Sequence, residues 1–393
     1  LHATTRSGGN EFHGSVFGDL LPFELSRTQP GDPLRYAGQL GVDLGGPIQR
    51  DRLWFYAGLA PETVATSAAT ATDLQYVGKL TFRPAGDHTL ALSAFGDPGS
   101  GAGSNDLSLR YFGNASGVLL EGTGSWHHAR AGADRVEGAL SGGGFVRLLG
   151  HHRLKAGADL ARESAGAAQQ TLFAAFAQDS WGVLDAVWLD AGVRHQEQSG
   201  LADASVLLPR LGLSYDFTGR GLSRIYAAWG RFFQPAPLGP GAGLTRGVDG
   251  VFSSGAQYQF HRDMVASIDY SRRPDSEAVT LAVAKPVSEN YLLQASTTIG
   301  ASSQPGRSPD LLKLDAAYAY EWTPKTTVSL GLAVHAADSP AWRVGLDARA
   351  ALRYALTSTW QLALNLDVLN ALNQQADAAQ APLAARLGGA LSF

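Results

Sequence analysis

A chain of 393 residues with no cysteine, a net charge of −4 and only 17% charged residues excludes disulfides and thiolate metal centres. It also lacks the basic footprint of a nucleic-acid binder. No stretch approaches the roughly 18 apolar residues of a transmembrane helix. There is no signal peptide and the chain starts at Leu1 rather than Met, which reads as a cut start and leaves location open.

The predicted elements, taken in chain order, are strands with alternation of period two, and helical periodicity is nearly absent. The pattern is poor near residues 12–20, clear in LQYVGKLTF (74–82) and poor again near 136–148. It returns in AVTLAVAK (278–285), LKLDAAYAYEW (312–322) and TVSLGLAVH (327–335). In WRVGLDARAALRY (342–354) one face carries Trp342, Val344, Leu346, Leu352 and Tyr354, while Arg343, Asp347, Arg349 and Arg353 share the other. WQLALNLDVLN (360–370) and LAARLGGALSF (383–393) close the series. Turn signals divide the chain into about 22 such segments.

Two kinds of connection alternate. Tight ones are QRDR (49–52), RPAGD (83–87), NASG (114–117), GHHR (150–153), TGRG (218–221), HRD (261–263), PVSEN (286–290), TPKT (323–326) and LTST (356–359). Between them lie more variable ones, among them residues 21–33, 61–71, 234–250, 301–309 and 371–381, with 272–277 short. Up-and-down strands put every second connection at the same end, which is the layout of a transmembrane barrel.

The destination of the apolar faces decides the fold. Strands of soluble sandwiches average about 5–6 residues, no blade-length repeat is present, and a β-helix lacks its short repeats. Alternating runs near 10 residues suit a bilayer. An arginine turned to lipid at the midplane costs about 2–4 kcal/mol, whereas a wet interior solvates it. The apolar faces are therefore expected to meet lipid and the charged faces to line a lumen. This predicts an all-β, antiparallel transmembrane β-barrel of about 22 strands with short periplasmic turns and longer extracellular loops. Phe82, Trp181, Trp322, Tyr354 and Trp360 are expected as interfacial aromatics at the short-turn end, with Tyr270 and Trp342 at the other. Closure requires the last strand, ending in Phe393, to pair with one near 12–20, because an open edge in lipid leaves backbone groups unpaired.

Enzyme signatures are absent: no HExxH, no Walker-type GxxxxGK[ST], no GxSxG. The Gly-rich GPGAGLTRG (239–247) lacks a following helix and a phosphate-binding lysine and reads as an outer loop. His127 and His128 are adjacent in an extended run and point to opposite faces, while His151 and His152 fall in a predicted turn. Asn114-Ala115-Ser116 matches a glycosylation pattern but falls in what reads as a short turn. No metal, cofactor or catalytic group is predicted. The lumen-lining candidates are Lys313, Asp315, Arg343, Asp347, Arg349, Arg353 and Asp367. They either contact a solute or an inserted domain, or form a wall whose charges need only water and each other. Arg246 and Asp249, in the longest predicted loop, are extracellular-loop ligand candidates.

Several stretches, in order, resemble a known family. TTRSGGNEFHGSVFGD (4–19) is similar to the junction between plug and barrel in TonB-dependent outer-membrane receptors, closest to the Oar-like group. GVDLGGPIQRDRLWFYAG (41–58) resembles that group's second and third strands, and FAQDSWGV (176–183) its strand end. PRLGLSYDFTGRG (209–221) and LDVLNALNQ (366–374) also resemble family segments. The resemblance implies a 22-stranded barrel in the outer membrane of Gram-negative-type bacteria and active uptake of a solute such as a siderophore, oligosaccharide or peptide. It further implies contact with TonB through an N-terminal region lying outside this sequence, and assembly by the barrel-assembly machinery through the strand ending in Phe393. Residues 1–11 are then the remnant of the plug–barrel junction and 12–393 the barrel. The outer loops are short for the family. The competing reading is a plugless, porin-like diffusion channel, with an outer-membrane enzyme a distant third.

Overall fold

A computed structural model describes residues 6–22, 34–66, 68–97, 103–129, 132–200, 203–235, 238, 246–260, 264–274, 276–286, 291–302, 311–338, 342–369, 371 and 384–393. The strands in chain order are β1 (His13–Pro22), β2 (Leu34–Gln49), β3 (Leu53–Thr66), β4 (Thr70–Ala85), β5 (His88–Asp97), β6 (Ser104–Ala115), β7 (Val118–Ala129) and β8 (Ala133–Arg147). They continue with β9 (His151–Ala165), β10 (Ala168–Leu184), β11 (Val187–Ser199), β12 (Ala204–Tyr215), β13 (Ser223–Gln234), β14 (Arg246–Phe260) and β15 (Met264–Arg273). The last are β16 (Ser276–Pro286), β17 (Tyr291–Ser302), β18 (Leu311–Thr323), β19 (Thr326–Asp338), β20 (Trp342–Ala355), β21 (Gln361–Leu369) and β22 (Ala384–Ser392).

These strands form one 22-stranded sheet in which each pairs antiparallel with its chain neighbours. The ring closes between β1 and β22, with Ser15 opposite Ser392 and Leu20 opposite Leu387. Two further backbone bonds finish the seam: Gly14 N donates to Phe393 O at 3.0 Å, and Phe393 N donates to Gly14 O at 2.9 Å. The poorly alternating residues 12–20 are thus the closing strand. Its weak signal follows from Gly14 and Gly18 on a strand whose partners crowd it: a Cβ on Gly14 would lie 2.5 Å from the Asp43 carbonyl oxygen.

Opposed residues share a face, so the register sorts the chain into two surfaces. Val16 faces Val42, which faces Leu59, and all three are about half exposed although large and apolar. Ser15 lies opposite Asp43 on the other surface, and both are buried. A single closed sheet has no second layer to cover the apolar surface, so hydrocarbon must. Among the described residues no helix is long and apolar enough to cross a membrane; the crossing is made by strands.

Several boundaries differ from expectation. The predicted loop 61–71 is mostly sheet, since β3 runs to Thr66 and β4 starts at Thr70. Likewise β13 reaches Gln234 and β14 starts at Arg246, so Arg246 and Asp249 sit on a strand opposite Gln234 and Phe232, not in a loop. β3 and β14, of 14 and 15 residues, exceed the roughly 9–11 residues that span a bilayer; beyond it both faces meet water, so the alternation that marks a strand disappears. His151 and His152 open β9 rather than occupying the turn, which is residues 148–150. The two-residue connection 185–186 carried no Gly, Pro or Asn to announce it. NASG does form a tight turn: Ser116 and Gly117 have φ of 53° and 86°, and Gly117 N donates to Asn114 Oδ1 at 2.9 Å. The predicted turn 261–263 and most of 239–247 lie outside the described residues.

Candidate functional site: the lumenal wall

The polar surface is organised as cross-strand charge clusters. On β20–β22, Arg349 lies opposite Asp367, which lies opposite Arg386. Arg349 Nε donates to Asp367 Oδ1 at 2.5 Å and Arg386 Nη2 approaches Oδ2 at 3.4 Å, burying the carboxylate between two exposed guanidinium groups. The structure therefore brings together Arg349 and Asp367 of the predicted set and adds Arg386, which the alternation of 383–393 already placed on the same face. Asp315 and Asp347 lie on one row, both opposite Ala333 of β19. Arg353 shares that face one row beyond Ala351, opposite Ala363. The backbones of Lys313, Arg343, Arg246 and Trp342 are in strands, but their side chains lie outside the described ones.

The denser clusters lie on β6–β11, away from the C-terminal strands singled out from sequence. Arg135 pairs with Glu137 at 2.7 Å and with Glu163, whose other oxygen accepts from Gln170 at 2.5 Å. Lys155 donates to Glu121 at 2.9 Å, and Arg194 to both oxygens of Asp159 at 2.8 and 3.0 Å. His127 bonds Asp106 at 2.7 Å on this face, while His128 bonds Asp134 at 2.7 Å on the opposite one, as adjacent strand residues must. The signal was legible: Arg153, Lys155, Asp159 and Glu163 all fall at odd positions of β9.

Inside the ring, residues 6–11 run along β2 and β3 at the short-turn end, and Phe12 then packs against Phe55 on the outer face. Asn10 donates to Asp51 at 2.6 Å, and its Oδ1 accepts from Asp51 N at 2.9 Å and Trp54 Nε1 at 2.7 Å. Arg6 lies 4.0 Å from Asp43, whose other oxygen accepts from Ser15. Trp54 and Tyr56 are buried beneath this segment.

The aromatics Phe82, Trp181, Trp322, Tyr354 and Trp360 fall at the short-turn ends of their strands and Tyr270 at the other end, all on or beside the apolar surface. The Trp360 and Phe393 rings lie 5.0 Å apart, tilted by 33°. His152 lies against Trp181 (5.4 Å between rings) and bonds Asp179 at 2.6 Å, so it is held rather than free in solvent. In the connection 216–222, the Asp216 carboxylate accepts from Thr218 Oγ1 at 2.6 Å, Ser223 Oγ at 2.7 Å and Gly221 N at 2.5 Å. The Thr218 and Ser223 hydroxyls, bonding the charged form, hold its carboxyl well below the usual carboxylate range. Among the described residues no three His, Asp or Glu side chains gather as a metal site.

A family model described as TonB dependent receptor-like, beta-barrel, matches residues 4–260. The chain is 31% identical over 188 aligned residues to the TonB-dependent transporter Oar of Myxococcus xanthus, a match covering 36% of this chain and 18% of that protein. It thus spans under a fifth of that relative's length. The fold is shared with the siderophore receptor PirA of Acinetobacter baumannii at a TM-score of 0.76 and 10% identity, over 99% of this chain and 81% of that one. PirA of Pseudomonas aeruginosa gives 0.75 and 14%, with the same coverage. FpvA of P. aeruginosa gives 0.70 and 13%, over 99% and 72%. With the closed ring, polar lumen and lipid-facing exterior already in place, the chain belongs to the TonB-dependent receptor family as its outer-membrane β-barrel.

Proposed function

We propose that this chain is the wall of an active importer that moves a small solute across the outer membrane, energised by TonB through a region outside the described residues. The supporting observation is the tethered segment 6–11. Asn10 binds β3 and the turn before it, which suits the last residues of a domain seated in the lumen, with 12–393 as the barrel. Asp315, Asp347, Arg349, Arg353, Asp367, Lys313 and Arg343 then face that domain or the passing solute, and Arg246 and Asp249 act at the outer rim. The aromatics at the strand ends serve as interfacial girdles, and the β22 seam with Phe393 is the recognition point for barrel assembly. Ferric siderophores are the first solute class to test, since three solved relatives carry that description or a pyoverdine. The experiment compares strains deleted for the encoding gene or for TonB, reading depletion of ferric siderophores, oligosaccharides and peptides from defined medium. Loss of the same solute in both strains is expected. Retained uptake without TonB refutes active import and favours a diffusion channel.

A further inference from the structure

We propose that a recess in the lumenal wall over β10–β14 binds a zwitterionic solute of short-peptide or amino-acid type, its carboxylate on Arg210 and its ammonium on Asp190. The proposal rests on the import reading for the solute's passage, and on the recess alone for its binding.

Two adjacent rows of the sheet build the recess. One runs from Gln178 through Gly192, Arg210 and Gly230 to Val251; the next runs from Ser180 through Asp190, Gly212 and Ala228 to Ser253. Gly192, Gly212, Ala228 and Gly230 leave the floor bare, opening about 280 Å³. A side chain added here would enter that open space, its Cβ needing a few tenths of an ångström of give from its neighbours. A Cβ on Gly192 would meet Gln178 Cβ at 3.1 Å, and one on Gly230 would meet Arg210 Cγ at 3.2 Å.

The groups around this floor are complementary to a zwitterion. The Arg210 guanidinium lies 4.9 Å over the Phe232 ring, which fixes its plane and leaves its N–H edge free. No carboxylate among the described residues pairs with it, whereas Arg194, one row away, is occupied by Asp159. Asp190 spends one oxygen on Ser180 Oγ at 2.5 Å and keeps the other. The unlike charges stand on neighbouring strands as diagonal neighbours, Arg210 opposite Gly192 and Asp190 opposite Gly212, about 7–8 Å apart at the backbone, and no ion pair joins them. A planar fork and a carboxylate at that spacing match the two ends of a dipeptide, whose small side chains would lie on the glycine floor beside Val251. A simple anion would be opposed by Asp190, and a simple cation by Arg210.

The test uses the whole chain refolded in detergent micelles and saturation-transfer NMR with three probes: dialanine, N-acetyl-dialanine and dialaninamide. Saturable millimolar binding of dialanine is expected, at least tenfold tighter than either blocked form. Arg210→Gln should lose dialanine, and Asp190→Asn should invert the preference toward N-acetyl-dialanine. Gly192→Leu, which fills the floor, should weaken all probes while the refolded band keeps its heat-modifiable migration. The proposal is overturned if dialanine fails to bind, if the three probes bind alike, or if both charge variants bind as the unaltered chain does. Binding here with TonB-independent uptake would sink the import reading alone; TonB-dependent uptake without this binding would sink the recess alone.

Discussion

Placing one arginine at two consecutive positions tests which surface meets lipid. Leu332 is the seventh of the thirteen residues of β19 and so lies near the strand's mid-height. Its side chain is 54% exposed on the apolar surface. Ala333, the next residue, faces the lumen between Asp315 and Asp347. Leu332→Arg puts a guanidinium against hydrocarbon at the midplane, a cost of about 2–4 kcal/mol. That is a shift of roughly 30- to 900-fold in the folding equilibrium. Ala333→Arg puts the same group in water between two carboxylates, and exposed pairs of this kind are worth about 0–1 kcal/mol. It should be neutral or slightly stabilising. The assay is reversible urea unfolding of the chain in lipid vesicles, followed by tryptophan fluorescence, with the two variants measured side by side. Equal destabilisation of both, or a larger effect at Ala333, would refute the assignment of the faces and the barrel argument with it.

At the seam, Gly14→Val forces a branched side chain toward the Asp43 carbonyl oxygen and the Phe393 ring, 2.5 and 3.1 Å from where its Cβ must sit. It should cost about 1–3 kcal/mol and lower the temperature at which the folded band is lost on a gel; an unchanged transition would show that the ring does not depend on that close approach. Asp216→Asn probes the turn 216–222. The folded carboxyl is held below its unfolded value, so its stabilisation is present above about pH 4 and fades as the pH falls through the folded value. The variant should unfold more readily at pH 7, with the gap narrowing in acid; a gap independent of pH would refute the linkage.

How much could be read in advance depended on where each residue sits relative to the bilayer. Where a strand crosses it, hydrocarbon on one side and water on the other impose period two, and LKLDAAYAYEW or WQLALNLDVLN declares both its strand and its lumenal charges. Outside the bilayer that contrast vanishes, so residues 61–66 and 246–250 read as loop although they extend β3 and β14. Turns announced themselves where a positive φ demanded glycine, as at Gly117 and Gly221, and passed unseen at 185–186.

The order of residues therefore determined the strand count, the topology and which surface is greasy, because alternation is a local property that a lipid boundary enforces strand by strand. Only the closed ring decided which charges meet. Asp367 finds Arg349 and Arg386, and Arg135 finds Glu163, through the register between strands. A register is set by turn lengths and by the requirement that β22 return to β1, and neither is written in any single strand. The same closure left Arg210 beside a bare floor with no carboxylate partner among the described residues, an arrangement that no sequence pattern marks.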